Sequence, residues 1–158
     1  MALSLNGADE LRANLQRVAA AALAAGRAEL GRIAHDVEQG SIERAPYKEG
    51  DLERAHEVQA VTRPAGIRFV VKVDESVAPY AIYMHEGFVA KDGTPEMPYK
   101  LGVASMMKNA GTPHMGAGVG WKFLERSFTD ATADAEIRLA GAISTAIGQS
   151  VGVTVRRR

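Results

Sequence analysis

The run IRFVVKV, residues 67–73, decides the fold because apolar and charged side chains alternate along it. In an extended chain successive side chains point to opposite faces, so this run has an apolar face and a charged face. The two faces carry, respectively, Ile67, Phe69, Val71 and Val73, and Arg68 and Lys72. A second extended run begins at Val58 and Val61, and Pro-Ala-Gly at residues 64–66 supplies a reversal. The sequence therefore predicts a β-hairpin over residues 58–73 with one buried and one solvated face.

A long helical segment is predicted before this hairpin. Apolar residues recur at alternating spacings of four and three between about Ala8 and about Arg44, which predicts one long helix or two nearly collinear helices. These residues are Leu11, Leu15, Val18, Ala22 and Ala25. Pro46 is expected to end the segment, and Asp51 is expected to cap a short helical turn that runs through Arg54.

Glycine and methionine are concentrated after the hairpin, in a predicted long loop at about residues 87–120 with a short helix around Tyr99 to Lys108. Loops longer than about 12–15 residues are usually functional or disordered. A second long helix is predicted from Trp121 to Gly148, with a short strand within residues 150–155. The fold prediction is a single α+β domain over residues 1–158, in which an antiparallel β-sheet containing the hairpin is packed by the long N-terminal and C-terminal helices.

The stretch YAIYMHEG, residues 80–87, holds both a histidine–glutamate pair and two tyrosines. Tyr80, Ile82 and Met84 alternate with Ala81, Tyr83 and His85, so an extended segment here presents two different faces. One face is expected to enter the core and the other to meet an adjacent subunit, because tyrosine combines apolar area with a hydroxyl suited to an interface rim. Burial of both faces in a monomeric core is the alternative.

Composition excludes several classes of function. The chain has 158 residues, 19 basic and 19 acidic side chains and no cysteine, so it has no global field for nucleic acid or anionic membrane, no disulfide and no thiolate chemistry. The N-terminus lacks a secretion pattern, and Arg27 and Arg32 interrupt the alanine-rich segment before it could span a bilayer. A soluble, intracellular protein is expected.

Catalytic and cofactor motifs are weak. Ser41, Ser76 and Ser105 lie in no nucleophile-elbow context, and GAGVG at residues 116–120 lacks the Lys-Ser/Thr ending of a phosphate-binding loop. A metal site that joins His56-Glu57 to His85-Glu86 is one alternative, and DNA binding by the arginines of residues 156–158 is another. The preferred interpretation is no enzyme, no cofactor and no metal. Clustered Met97, Met106, Met107 and Met115 instead favour contact with a partner.

Three motifs occur in a recognisable order. They are an Ala-Pro-x-x-x-Gly-x-Leu turn (Ala45, Pro46, Gly50, Leu52), a Tyr-Ala-x-Tyr-x-x-Glu-Gly segment (Tyr80, Ala81, Tyr83, Glu86, Gly87) and an aromatic start to the last helix (Trp121, Phe123, Leu124). Over residues 8–147 this order resembles the neck, or tail-completion, proteins that join head to tail in long-tailed bacteriophages. The chain departs from the family pattern at Glu49 and Phe88, where threonine is common, and at Trp121-Lys122-Phe123, where Pro-Phe is common.

The resemblance implies a structural virion protein at the head–tail junction, made in the host bacterial cytoplasm. Such a protein forms a ring of identical copies, six-fold or alternatively twelve-fold, around DNA that passes without sequence-specific binding. Its other partners are the head connector and the tail-terminator or tail-tube proteins, with no membrane and no cofactor; a tail terminator ring that caps the tail tube is an alternative role. The candidate subunit or partner contacts are Tyr80, Tyr83, Glu86, Phe88, Met97, Tyr99, Met106, Met107, Met115 and Trp121.

Overall fold

Helices dominate the part of the chain that the computed structural model describes, residues 7–47, 49–64, 66–86, 88–89, 95–96, 102–110 and 118–151. In chain order the elements are α1 (Ala8–Arg44), α2 (Asp51–Arg54), β1 (His56–Arg63), β2 (Gly66–Val73), α3 (Ala81–Glu86), β3 (Phe88–Val89), β4 (Pro95–Glu96), α4 (Val103–Ala110), α5 (Phe123–Thr132) and α6 (Ala135–Ser150). The strands pair as two antiparallel two-stranded sheets, β1 with β2 and β3 with β4. The predicted α+β class, an antiparallel hairpin together with long N-terminal and C-terminal helices, is confirmed.

The chain divides into two compact units. A helical unit comprises Met1–Arg32 and Asp134–Arg158, and a mixed unit comprises Ile33–Ala133. The mixed unit contains both sheets, α2 to α5 and the last turns of α1. The helical unit contains the first part of α1 and all of α6.

The N-terminal segment is one continuous helix. It ends at Arg44, as predicted from Pro46, because a residue that precedes proline is pushed out of the helical region. Gly40 marks a close approach within the mixed unit, since a Cβ at this position would lie 3.3 Å from Ser127 Cβ of α5. The glycine therefore lets α5 lie directly against the last turns of α1.

The hairpin of β1 and β2 runs in continuous register from His56 opposite Val73 to Arg63 opposite Gly66. β1 begins two residues before the predicted start. The alternating apolar residues of β2 are half-buried and its charged residues are exposed, as the pattern predicts. On the solvated face Lys72 Nζ lies 2.7 Å from Glu57 Oε1 of the facing strand.

The core of the mixed unit surrounds Phe123, which is fully buried. Its members are Ala45, Leu52, Ala55, Ala78, Ala81 and Phe123, with Val73, Met84 and Leu124 packed against them. Each of the three motifs described above contributes to this core. The residues on which the resemblance depends are therefore brought together in space, although up to 78 positions separate Ala45 from Phe123 in the sequence.

The turn between α1 and α2 corrects one expectation. Gly50, not Asp51, is the N-cap of α2, with φ 81° and no side-chain capping bond. This left-handed conformation favours glycine, and a Cβ there would lie 3.1 Å from Arg54 Nη1. Asp51 instead pairs with Arg54 across the helical turn.

A buried arginine fastens α1 to α5. The Arg44 guanidinium donates to Ser127 Oγ at 2.7 Å and to Asp130 Oδ2 at 2.5 Å. The Arg44 carbonyl also accepts from the Gly120 amide at 2.8 Å. The last residue of α1 thus bonds to α5 and to the segment that precedes it.

The second long helix was predicted as one piece, and this prediction is wrong. It is divided into α5 and α6, which are separated by Ala133 and Asp134. The apolar pattern lapses here, and the Thr132 hydroxyl bonds back to the Phe128 carbonyl at 2.7 Å, a local bond that competes with helix continuation. α6 then continues through Gly148 to Ser150, so Gly148 does not stop it. Apart from residues 150–151, the predicted final strand lies outside the described residues.

Candidate functional site

The tyrosine-containing stretch is helical, and the prediction of an extended segment is wrong. Residues 81–86 form α3. The cause lies upstream, where the Asp74 carboxylate accepts bonds from the Ser76 amide and hydroxyl and turns the chain. Helical bonding then begins with the Ala81 amide donating to the Ala78 carbonyl at 2.9 Å. Periodicity does not separate strand from helix in an apolar run this short.

α3 nevertheless has the two different faces that the sequence predicts, at helical spacing. Ala81, Met84 and His85 face the core, at positions i, i+3 and i+4. Tyr80 and Tyr83 are exposed, Tyr83 to 59% of its area, and Ile82 is exposed beside them. The outer face of α3 therefore carries large apolar side chains, as an interface does.

Glu86 ties the end of α3 to the start of α5. Its carboxylate lies 2.8 Å from Lys122 Nζ and 2.9 Å from His85 Nδ1. Its carbonyl accepts the indole N–H of Trp121 at 2.8 Å, and the His85 carbonyl accepts the Lys122 amide at 2.9 Å. The hydrogen bond from Lys122 holds the pKa of Glu86 below its usual value, and the Glu86 bond raises the pKa of Lys122.

This junction gives Glu86 and Trp121 a structural role within the chain. The predicted contact residues Glu86 and Trp121 are joined by the bond from the Trp121 indole to the Glu86 carbonyl. Trp121 is half-buried and Glu86 is exposed. Lys122 adopts a left-handed conformation, φ 56°, that turns the chain into α5. The pair therefore fixes where the outer face of α3 points relative to α5.

The two histidines of the metal hypothesis both pack on Phe123. The His85 ring meets it edge-on at 5.0 Å between centroids, and the His56 ring meets it at 5.6 Å. Of the adjacent carboxylates, Glu57 pairs with Lys72, and Glu86 pairs with Lys122 and with His85. Within the described ranges no group of three or more histidine, aspartate or glutamate side chains is placed to hold a metal ion.

A buried serine–histidine pair was missed in the sequence because its members are 15 positions apart. His56 Nδ1 donates to the Leu52 carbonyl at 2.7 Å, so Nε2 accepts the Ser41 hydroxyl, also at 2.7 Å. Burial lowers the pKa of His56 and keeps this ring neutral. The pair has the spacing of a nucleophile and its base, but Ser41 is fully buried. In this structure its bond joins α1 to the start of β1.

α4 is bound to the end of α1 through its polar face. Lys108 Nζ donates to the carbonyls of Ile42 and Ala45 at 2.6 and 2.9 Å and pairs with Glu53. A cation at this place satisfies carbonyls that a helix end leaves without intrahelical partners. Ser105 Oγ accepts the Tyr47 amide and donates to the Tyr47 carbonyl, each at 2.9 Å.

The opposite face of α4 is apolar and exposed. Val103, Met106 and Met107 occupy positions i, i+3 and i+4, and are 68%, 51% and 71% exposed. Met107 also borders a cavity of about 390 Å³, whose other lining residues are Tyr47, Glu53, Ala104 and Lys108. The usual order of an amphipathic surface helix, apolar inside and polar outside, is therefore inverted.

The structure places part of the predicted contact set. Tyr80, Tyr83, Met106 and Met107 are exposed on α3, on α4 or immediately before α3. Phe88 belongs to the short strand β3. The predicted helix around Tyr99 to Lys108 corresponds to α4 at Val103–Ala110. Met97, Tyr99 and Met115 lie outside the described residues.

Of the helices in the described part of the chain, none has the length and apolarity to cross a membrane. A scan of family models, a search of curated proteins and a search of solved structures found no match to this chain.

Proposed function

We propose that this chain is a structural subunit of the head–tail junction of a long-tailed bacteriophage, where identical copies form a ring around the DNA channel. The observation that carries the proposal is the inverted polarity of α4. Its polar residues bond inward to α1, while Val103, Met106 and Met107 face solvent. Apolar helix faces that are exposed in a monomer mark protein interaction sites.

A second exposed surface, on α3, extends this argument. Tyr80 and Tyr83 are the motif tyrosines of the resemblance, and both are exposed while the motif alanine, Ala81, is buried. The motif thus divides its residues between the core and a surface. Aromatic residues and methionines are enriched in protein interfaces, and both types are found on these two surfaces.

The assignment to a phage junction rests on the order of the three motifs, whose apolar members share one core. Ala45, Leu52, Ala81 and Phe123 pack together. The role that follows is mechanical: the mixed unit presents contact surfaces on α3 and α4 to neighbouring molecules.

The test compares the purified chain with a triple variant, Val103→Ser, Met106→Gln and Met107→Gln. We expect the unaltered chain to form closed rings at high concentration in light scattering and negative-stain electron microscopy. The variant should stay monomeric with an unchanged circular dichroism spectrum, because the three side chains support no core. Phe128→Gln is the matched control, since it removes another exposed apolar side chain, 58% exposed, from α5.

If the triple variant forms rings as readily as the unaltered chain, α4 is not part of the contact between copies. A chain that stays monomeric at all concentrations and binds duplex DNA with a steep salt dependence would favour the DNA-binding alternative instead.

A further inference from the structure

A groove of about 220 Å³ lies in the mixed unit between β2, α3 and the start of α5. Three consecutive residues of β2 border it, Val71, Lys72 and Val73. Successive side chains of a strand point to opposite faces, so three neighbours border one groove together through the outer edge of the strand. The backbone of β2 is therefore one wall of this groove.

The backbone groups on this edge of β2 are not used in the hairpin. The Asp74 amide donates to the Ala55 carbonyl at 2.7 Å, which makes these two residues a hydrogen-bonded pair. Bonded and non-bonded pairs alternate along an antiparallel ladder, so Val71 and Val73 direct their N–H and C=O groups away from β1. Within the described ranges β1 is the only strand that pairs with β2, and no further hydrogen bond reaches the backbone of Val71 or Val73. An unpaired edge of this kind accepts an added strand.

The opposite wall of the groove is apolar. It is formed by Ala81 and Ile82 of α3 and by Phe123 and Leu124 of α5. Strand addition obtains its affinity from main-chain hydrogen bonds and its specificity from pockets for alternate side chains. A strand edge that faces an apolar wall therefore fits an extended segment with apolar residues at every second position.

His85 adds an unpaired polar atom to this wall. Its Nδ1 lies 2.9 Å from the Glu86 carboxylate, so Nδ1 carries the proton and Nε2 presents a lone pair. His85 borders the groove, and its buried Nε2 has no hydrogen-bond partner in the part of the chain that the structure describes. Buried polar atoms are nearly always hydrogen-bonded in proteins. An N–H or O–H group of a bound segment would satisfy this nitrogen.

The two ends of β2 carry opposite charge. Asp74 and Glu75 follow the strand and form its acidic end, and Glu75 borders the groove. Arg68 and Arg63, the latter on β1 beside the turn, are exposed and form the basic end. A basic segment is therefore attracted to the acidic end and repelled from the basic end.

The segment that follows α6, residues 151–158, has the composition that this groove accepts. Val151, Val153 and Val155 alternate with glycine and threonine, and arginine occupies residues 156–158. Alternating β-branched residues are typical of a strand. In a parallel addition to β2 the arginines come to the acidic end of the strand, whereas an antiparallel addition would bring them to the basic end.

The helical unit fixes where this segment begins. Glu29 Oε1 accepts from Arg138 Nε at 2.8 Å, and a Cβ on Gly26 would lie 3.5 Å from Ile143 Cδ1. As the residue number rises along α1 it falls along α6, so the two helices run antiparallel. The end of α6 therefore lies beside an early part of α1.

This starting point assigns the segment to the groove of another copy. Ser150 is seven residues beyond Ile143, which places it about 20 Å from Arg32 along α1. The mixed unit begins after Arg32. Val155 is five residues beyond Ser150 and extends no more than about 17 Å from it. The valines therefore fall short of the start of their own mixed unit.

We propose that residues 151–158 of one copy bind as an added strand, parallel to β2, in the groove of a second copy. The inference rests on the proposed function, because it requires that identical copies meet. The edge groups of Val71 and Val73 bond to the backbone of the segment, its valines cover the apolar wall, and its arginines pair with the acidic end.

The test measures binding of a fluorescein-labelled peptide of residues 150–158 to the full chain by fluorescence anisotropy. The chain is kept at concentrations at which light scattering shows a monomer, so that the groove is not filled by another copy. We expect saturable binding. A peptide with Val153→Ser and Val155→Ser should not bind, because serine does not cover the apolar wall.

A proline variant locates the bound peptide. Val71→Pro removes one outward N–H of β2 and leaves the bonds to β1 in place. It should weaken peptide binding by about tenfold or more, through the lost hydrogen bond and the obstructing ring. Val58→Pro is the matched control, since Val58 lies opposite Val71 and directs its N–H to the other edge of the hairpin. It should change binding by less than about twofold, and circular dichroism checks that both variants fold.

A charge variant tests the same site without a change in the backbone. Glu75 is exposed, so Glu75→Lys should fold normally. It should weaken peptide binding by about two- to fivefold at low salt, the usual effect of an exposed ion pair. Glu136→Lys makes the same change of charge on α6, where Glu136 is also exposed, and should leave binding unchanged.

Other outcomes overturn the inference in distinguishable ways. Binding that neither Val71→Pro nor Glu75→Lys weakens would contradict the site. Binding only to a chain whose own residues 153 and 155 are changed to serine would show that the segment fills the groove of its own copy. Rings formed by a chain that does not bind the peptide would exclude this site and leave the proposed function intact. Peptide binding by a chain that forms no rings would contradict the proposed function and leave the groove as the binding site.

Discussion

At the scale of single residues, Phe123 organises the mixed unit. Its side chain is fully buried in the core and touches the rings of His56 and His85. It belongs to the motif at the start of the last predicted helix, and the sequence placed it at an apolar position. The sequence did not indicate that two histidines would pack on its ring, because that contact depends on the paths of α2 and α3.

Replacement of Phe123 by alanine should lower the free energy of unfolding by about 3–5 kcal/mol, through lost burial and the cavity left behind. Phe128 on the same helix is the matched control. Because Phe128 is exposed, Phe128→Ala should change the stability of the monomer by less than about 0.5 kcal/mol. Urea denaturation at low protein concentration measures both, and equal losses would contradict the core described here.

His56 makes stability depend on pH. Burial lowers its folded-state pKa, while an unfolded histidine keeps a value near 6.5. As pH falls below about 6.5, the unfolded state takes up the proton first, so the free energy of unfolding should fall by up to about 1.4 kcal/mol per pH unit. At pH 7.5 the His56 ring is neutral in both the folded and the unfolded state, so the protein keeps its full stability there.

Urea denaturation between pH 7.5 and pH 5.5 tests this, because the window lies above the usual range of carboxyl groups. His56→Gln should remove most of the pH dependence, because the burial that lowers the pKa acts on this ring. If the His56→Gln variant keeps the full pH dependence of the free energy of unfolding, that dependence originates in another group.

At the scale of elements, α4 depends on Lys108. Lys108→Met keeps the length of the side chain but removes its bonds to the Ile42 and Ala45 carbonyls and to Glu53. Stability should fall by about 2 kcal/mol, the usual contribution of hydrogen bonds to a charged group. Amide hydrogen exchange should show α4 losing protection before the hairpin does.

Lys72→Met serves as the comparison for Lys108→Met. Lys72 pairs with Glu57 on the exposed face of the hairpin, and exposed ion pairs contribute little to stability. No measurable change in exchange is expected for this variant. Equal effects of the two substitutions would show that Lys108 does not anchor α4.

How far the sequence predicts each element depends on the length and regularity of its pattern. The hairpin and α1 are long and periodic, and both were predicted in type and nearly in extent. α3 is only six residues long, and the turn upstream of it contains the bonds from Ser76 to the Asp74 carboxylate, which periodicity does not reveal. The break between α5 and α6 was missed because alanine and threonine at residues 129–134 interrupt the apolar pattern without a glycine or proline.

The candidate site was predictable only in part for a related reason. Tyr80, Tyr83, Met106 and Met107 are exposed, and their role as contact residues stays a prediction. By contrast, the bonds from Lys108 to α1 and from Glu86 to Lys122 join residues 36 to 66 positions apart. Local sequence patterns do not predict such long-range bonds, because the bonds depend on how the elements pack.

At the scale of the whole molecule, both compact units leave apolar surface exposed. In the mixed unit it lies on α3 and α4, and in the helical unit it includes Leu11, Leu15, Leu23 and Leu30. With equal numbers of acidic and basic residues in the chain, the solubility of the free subunit is not protected by strong net charge. We infer that self-association is the state in which these surfaces are covered.

The most direct measurement is an electron cryomicroscopy reconstruction of the head–tail junction in phage particles made from a genome that encodes this chain. We expect a closed ring of identical copies of this fold between the head connector and the tail, with DNA in its channel and α4 against a neighbouring molecule. A junction that lacks the chain, or one that holds separate copies without mutual contact, would contradict the proposal.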